Sequence, residues 1–117
     1  MKFSRNIKLN ALCMAIYIAL KENEEGFKNG INSDALYCYF SGVNYYEGGC
    51  IGYVYTEDAR ELLIKCGYKA GKFDYMKIAR AMSNACAYVC YMYAQEVAAR
   101  TGQTMHQLRQ NYKRYQF

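Results

Sequence analysis

Apolar residues recur at spacings of three and four along much of this chain. Leu9, Leu12, Cys13, Ile16 and Leu20 form one such stripe, and Tyr17 and Ile18 widen it. That spacing places side chains on a single helical face. It predicts a first helix from about Arg5 to Asn23, with Ser4 as N-cap, because a hydroxyl oxygen can accept from an amide that the first turn leaves open. The stretch Glu24 to Asn32 holds Gly26, Gly30, Asn29 and Asn32 and predicts a loop. Ala35 to Phe40 is apolar throughout, so helix and strand both fit it; we take a short helix capped by Ser33 or Asp34.

The next segment changes period. Gly48-Gly49 marks a turn, and Cys50-Ile51-Gly52-Tyr53-Val54-Tyr55 is the best strand candidate, with Asn44-Tyr45-Tyr46 as its hairpin partner. Thr56 then caps a helix from Glu57 to Cys66, with acids in its first turn and Gly67 just past its end. Tyr68 to Phe73 reads as a turn or short strand. Asp74 opens the longest helix, about Tyr75 to Arg100, along which Ala79, Met82, Cys86, Val89 and Tyr93 form a stripe suited to a core or to a homodimer interface. Gly102 ends it. Thr104 and Gln107 have the spacing of a capping box and open a last helix to about Tyr115. The expected fold class is therefore α+β: a mostly helical single domain, residues 1–117, with one small antiparallel sheet or hairpin, a long helix near 75–100 and a C-terminal helix.

Composition supports one domain. The chain has 117 residues, no proline and 53% apolar residues, which argues against disorder. Fourteen tyrosines and no tryptophan fit either a binding surface or a core that lies close to solvent everywhere. The formal charge is +5, and its distribution is uneven. Lys65, Lys69, Lys72, Lys77 and Arg80 are opposed locally only by Asp74, and no acid follows Glu96. Two basic patches facing phosphate or an acidic protein would account for this, as would solvated helix ends.

Six cysteines are present, several inside apolar runs where a thiol acts as a small hydrophobe. With a chain large enough to fold without staples, they point to a reducing, cytosolic setting. Lys2, Arg5 and Lys8 before the apolar run Ala11 to Leu20 resemble an export signal, but Lys21-Glu22-Asn23-Glu24-Glu25 follows in place of a small-residue cleavage site. No apolar stretch reaches the ~20 residues that span a bilayer.

Motifs for chemistry are sparse. Cys86 and Cys90 share a helical face, but structural zinc wants four ligands, and the single histidine, His106, falls on another element. Cys50 with His106 makes a weak nucleophile–base pair. Gly48, Gly49 and Gly52 precede a strand, so they do not form a phosphate loop. These features predict a non-catalytic protein with no metal and no cofactor. The segment Gln95 to Arg109 has helix-turn-helix spacing: Ala98 is small, Gly102 supplies the turn and Leu108 packs back. Thr104, His106, Gln107 and Arg109 would then face bases, Lys113 and Arg114 would meet the phosphate backbone, and Tyr112 joins them as a nucleic-acid-binding candidate.

From Asn44 onward the layout also resembles the ArdB-type antirestriction proteins of mobile elements. The likeness rests on Asn44-Tyr45-Tyr46, Gly48-Gly49, the strand Cys50 to Val54, the acidic Glu57-Asp58, the alanine-rich Ala81 to Ala87, and Leu108-Arg109 with Tyr112 and Tyr115. Glu47 stands where that family has Asn, its tryptophan and N-terminal segment are missing, and the basic charge here does not suit a DNA mimic. The resemblance implies an inhibitor of a host defence complex without catalytic residues, of antirestriction or anti-CRISPR type. The alternative is a helix-turn-helix DNA-binding regulator.

Overall fold

The computed structural model describes residues 2–27, 30–41 and 57–111. Among them are five α-helices: α1 (Ile7–Glu22), α2 (Ser33–Ser41), α3 (Glu57–Lys65), α4 (Tyr75–Thr101) and α5 (Met105–Asn111), with a turn of 3-10 helix at Glu24–Phe27. No strand, sheet or hairpin occurs among the described residues, so the α+β class is corrected to a helical one. The residues proposed for the hairpin, 44–46 and 50–55, lie outside the described residues. Tyr68 to Phe73, offered as turn or short strand, is an irregular connector with a turn at Lys72 and Phe73. Ala35 to Phe40 is helical.

Local chemistry explains where the helices begin. α1 starts two residues later than expected because Asn6 is its cap: the Asn6 carboxamide accepts from Leu9 N–H at 2.9 Å. Ser4 supports that cap instead, its hydroxyl accepting from Asn6 N–H. α2 is opened by Asn32, whose side chain accepts from Ala35 N–H at 2.8 Å, rather than by Ser33 or Asp34. Asn32 is 1% exposed, so this bond also satisfies a polar group that would otherwise be costly to bury. Thr104 and Gln107 form the reciprocal capping box, each accepting from the other's backbone N–H at 3.1 and 2.9 Å.

Helix ends follow glycine. Gly67 and Gly102 have φ of +97° and +70°, a region that costs a residue with Cβ about 1–2 kcal/mol. At each, a bond from the following residue closes the end: Tyr68 N–H to Leu63 O and Gln103 N–H to Ala98 O.

α4 is the central element and packs against α1, α2, α3 and α5. The apolar stripe of α1 meets it: Leu12, Cys13, Ile16 and Leu20 are fully buried. Leu36 of α2, Leu63 of α3 and Leu108 of α5 complete the core. Burying each such aliphatic side chain contributes about 1.5–3 kcal/mol. Two consequences follow. The run Ala11 to Leu20 is a core helix, and removing it would open the centre of the fold. The α4 stripe Ala79, Met82, Cys86, Val89 and Tyr93 is the inner face of this chain and is not open to a second copy.

The thiols are mostly packing groups. Cys13 Sγ lies 3.8 Å from Ala85 O, and Cys90 Sγ lies 3.8 Å from Ile31 O. Cys38 departs from the expectation of free thiols: it is disulfide-bonded, whereas Cys13, Cys66, Cys86 and Cys90 are free.

Candidate binding surface

The connector between α3 and α4 doubles back over the start of α1. Gly67 turns the chain here at φ +97°, and the Lys8 stem passes beside it: a Cβ at residue 67 would lie 3.6 Å from Lys8 Cγ, an ordinary contact. Arg60 holds the connector from below, its Nε donating to Ala70 O at 3.0 Å while Nη1 pairs with Glu57 at 2.7 Å. Lys77 Nζ donates to the backbone carbonyl of Lys69 and ties the connector to α4.

These ties border an open cleft of about 460 Å³, lined among the described residues by Asn6, Lys8, Leu9, Tyr68, Lys69, Lys77, Ala81 and Asn84. Among the described residues its charged lining is three lysines, from α1, the connector and α4, with no acid. Burial pushes the Tyr68 phenol above its ordinary range, so it remains a neutral hydroxyl at the cleft wall. The arrangement can hold an anion.

Of the patch expected from sequence, Lys69 and Lys77 line the cleft, whereas Lys65, Lys72 and Arg80 are exposed outside its lining. Sequence reading missed Lys8, Tyr68 and Asn84. In sequence Lys8 belongs to the basic run Lys2, Arg5 and Lys8, and no local signal ties residue 8 to residues 69 and 77.

The C-terminal candidates divide. Thr104, His106, Gln107 and Arg109 are exposed on the turn and on α5. Thr104 and Gln107 spend their oxygens on each other's backbone amides, which limits them as readers of base edges. Tyr112, Lys113 and Arg114 lie outside the described residues.

A second polar constellation was not foreseen. Glu96 of α4 accepts from Tyr17 Oη at 2.5 Å and from Lys21 Nζ at 2.8 Å. Glu24 accepts from Tyr93 Oη at 3.0 Å and from Lys21 and Arg100 at 3.3 Å each. Partial burial pushes both carboxyls up, but the hydrogen bonds they receive outweigh it and hold both below the ordinary carboxylate value. Every member has a partner within the fold, so the group reads as an interhelical staple.

Tyrosines split between the two roles that their abundance suggested. Tyr37 and Tyr93 are buried and Tyr17 and Tyr68 partly so, while Tyr39, Tyr75, Tyr88 and Tyr91 are exposed. No described helix is long and apolar enough to cross a membrane, and among the described residues no three His, Cys, Asp or Glu side chains group as metal ligands. Burial raises the free thiols, Cys13 to about 11 and Cys90 to about 12, so they stay protonated at neutral pH. Cys50, the candidate nucleophile, lies outside the described residues. No family model, curated protein or solved structure matches this chain.

Proposed function

We propose that this chain is a non-catalytic binding protein that inhibits a host defence complex acting on nucleic acid, in the antirestriction or anti-CRISPR manner. Its working surface is the lysine face around the cleft. The observation that carries the reading is the convergence of Lys8, Lys69 and Lys77 on one cleft, with no acid among its described lining residues. Lys8 and Lys77 sit in the first turns of α1 and α4, where the helix dipole disfavours cations; α1 has no acid there, and at α4 the N-cap Asp74 offsets part of the effect for Lys77. Each such placement costs a few tenths of a kcal/mol to about 1 kcal/mol, which a partner with negative charge would offset. Inhibition by covering a site requires shape and charge complementarity and no reaction chemistry. The working compartment would be the cytosol; the Cys38 disulfide weighs against it, and counting alkylatable thiols in protein isolated from cells under acid quench decides the point.

The test is phage plating on cells carrying an active restriction or CRISPR system. Expression of the chain should restore plaques, and reversal of Lys69, Lys72 and Lys77 to glutamate should abolish the effect while the protein stays folded. Failure to restore plating against any such system overturns the reading.

A helix-turn-helix regulator is the second reading. The Gly102 turn, the buried Leu108 and the capping box favour it locally. Against it, α5 rests mainly on α4, and two of its candidate readers are already engaged. Binding of a defined duplex that is lost in Arg109→Ala would favour this reading over inhibition.

A further inference from the structure

The cleft opens onto an exposed stripe of α4. Taking about 100° per residue, Lys77, Asn84, Tyr88 and Tyr91 fall within an arc of about 60°. Lys77 and Asn84 are cleft residues, so cleft and stripe share one edge. Tyr88 and Tyr91 are 48% and 44% exposed. From Lys77 to Tyr91 the stripe runs about 21 Å at 1.5 Å per residue. The one acid of α4, Glu96, lies off this arc and is bonded to Tyr17 and Lys21 of α1.

We propose that the cleft and this stripe form a track for single-stranded nucleic acid. Lys8, Lys69 and Lys77 take phosphates at the cleft, and the exposed Tyr88 provides a ring on which a base stacks. The inference deepens the inhibitor reading by naming what the lysine face contacts, and it rests on that face being the working surface.

Three physical points favour a strand over other partners. The charges that line the cleft among the described residues are all lysines, which serve phosphates as point charges. A duplex hides its base faces, leaving exposed tyrosines nothing to stack on. A cationic groove continuous with aromatic rings is the general recipe for sequence-tolerant single-strand binding.

The experiment is fluorescence anisotropy of the full chain with a labelled 12-nucleotide oligo-dT, a 12-base-pair duplex and polyglutamate of matched charge. Oligo-dT should bind at least about tenfold tighter than polyglutamate and tighter than the duplex. Its affinity should fall with salt at a log–log slope of about −2, for three phosphates at roughly 0.7 each. Lys8→Glu should lower affinity about tenfold and flatten the slope. Tyr88→Ala should weaken binding about fivefold or more, and Tyr88→Phe should restore it, since stacking needs the ring and not the hydroxyl. Both positions are exposed, and thermal melts confirm that each variant is folded. Equal binding of polyglutamate, or a Tyr88→Ala variant that binds like the parent, overturns the proposal. If oligo-dT does not bind yet the lysine reversals still abolish plaque rescue, the strand track falls and the inhibitor reading stands. If rescue never occurs while oligo-dT binds as described, the reverse holds.

Discussion

Tyr17 of α1 and Glu96 of α4 are joined by a 2.5 Å hydrogen bond across 79 positions of sequence, and Lys21 bonds the other carboxylate oxygen. Glu96→Ala removes the acceptor and leaves a half-buried phenol and an ammonium without it. The side chains are about a third exposed, so solvent recovers part of the loss. We expect destabilisation of about 1–2 kcal/mol, read as a lower urea midpoint with an unchanged slope.

The same network sets an acid limb. Glu24 and Glu96 are held below their ordinary 4.5 in the folded chain. A depressed carboxyl contributes stability that is present above its unfolded value and lost as pH falls through the folded one. Stability should therefore hold level near neutrality and decline below about pH 4.5 as both carboxylates protonate. Lys21, raised first by its bond to Glu96, contributes in full below its ordinary 10.5 and loses that contribution as pH rises through the higher folded value. Urea midpoints from pH 7 to pH 3 check the acid limb. A Glu24→Gln/Glu96→Gln variant should show a shallower fall, and an equally steep fall would show that other groups carry it.

Gly102 ends α4 at φ +70°, with open space where a Cβ would go. Gly102→Ala should therefore cost only the backbone strain, about 1 kcal/mol. Gly67→Ala should cost a similar amount, since the Lys8 stem at 3.6 Å is in ordinary contact range. Thermal melts of both variants measure this, and a loss well above 2 kcal/mol at Gly102 would mean that the turn carries more than helix termination.

Leu108 is the buried anchor of α5. Leu108→Ala should cost about 2–4 kcal/mol and release α5 from α4, seen as accelerated amide exchange over residues 105–111. Thr104→Ala removes one bond of the capping box and should cost about 1 kcal/mol. His106→Ala, at an exposed position, should be nearly neutral.

Thiol reactivity should rank by burial. Cys66 is partly exposed, while Cys13, Cys86 and Cys90 are buried and pushed up by desolvation. In the native chain a thiol probe should label Cys66 first and the other three only on unfolding. Fast native labelling of Cys86 would contradict the packing of α1 on α4.

What the sequence determined by itself was local and periodic. The stripe Leu9 to Leu20 and the stripe Ala79 to Tyr93 each identified a buried helical face, because apolar spacing and helical geometry are the same fact seen twice. Gly67, Gly102 and the Thr104–Gln107 box marked helix ends correctly, since each acts within five residues of itself. The choice of Asn6 and Asn32 over Ser4 and Ser33 as caps was harder to see, because neighbouring residues with equal capping ability compete and packing picks the winner. Spacing alone lets the α4 stripe be core or dimer face, and the packing of α1 and α2 on α4 makes it core. Only the tertiary structure brought Lys8 beside Lys69 and Lys77, sorted the tyrosines into buried and exposed, and paired Tyr17 with Glu96. Those relations join residues tens of positions apart, and no local spacing encodes a distance that exists only after α1 has packed on α4.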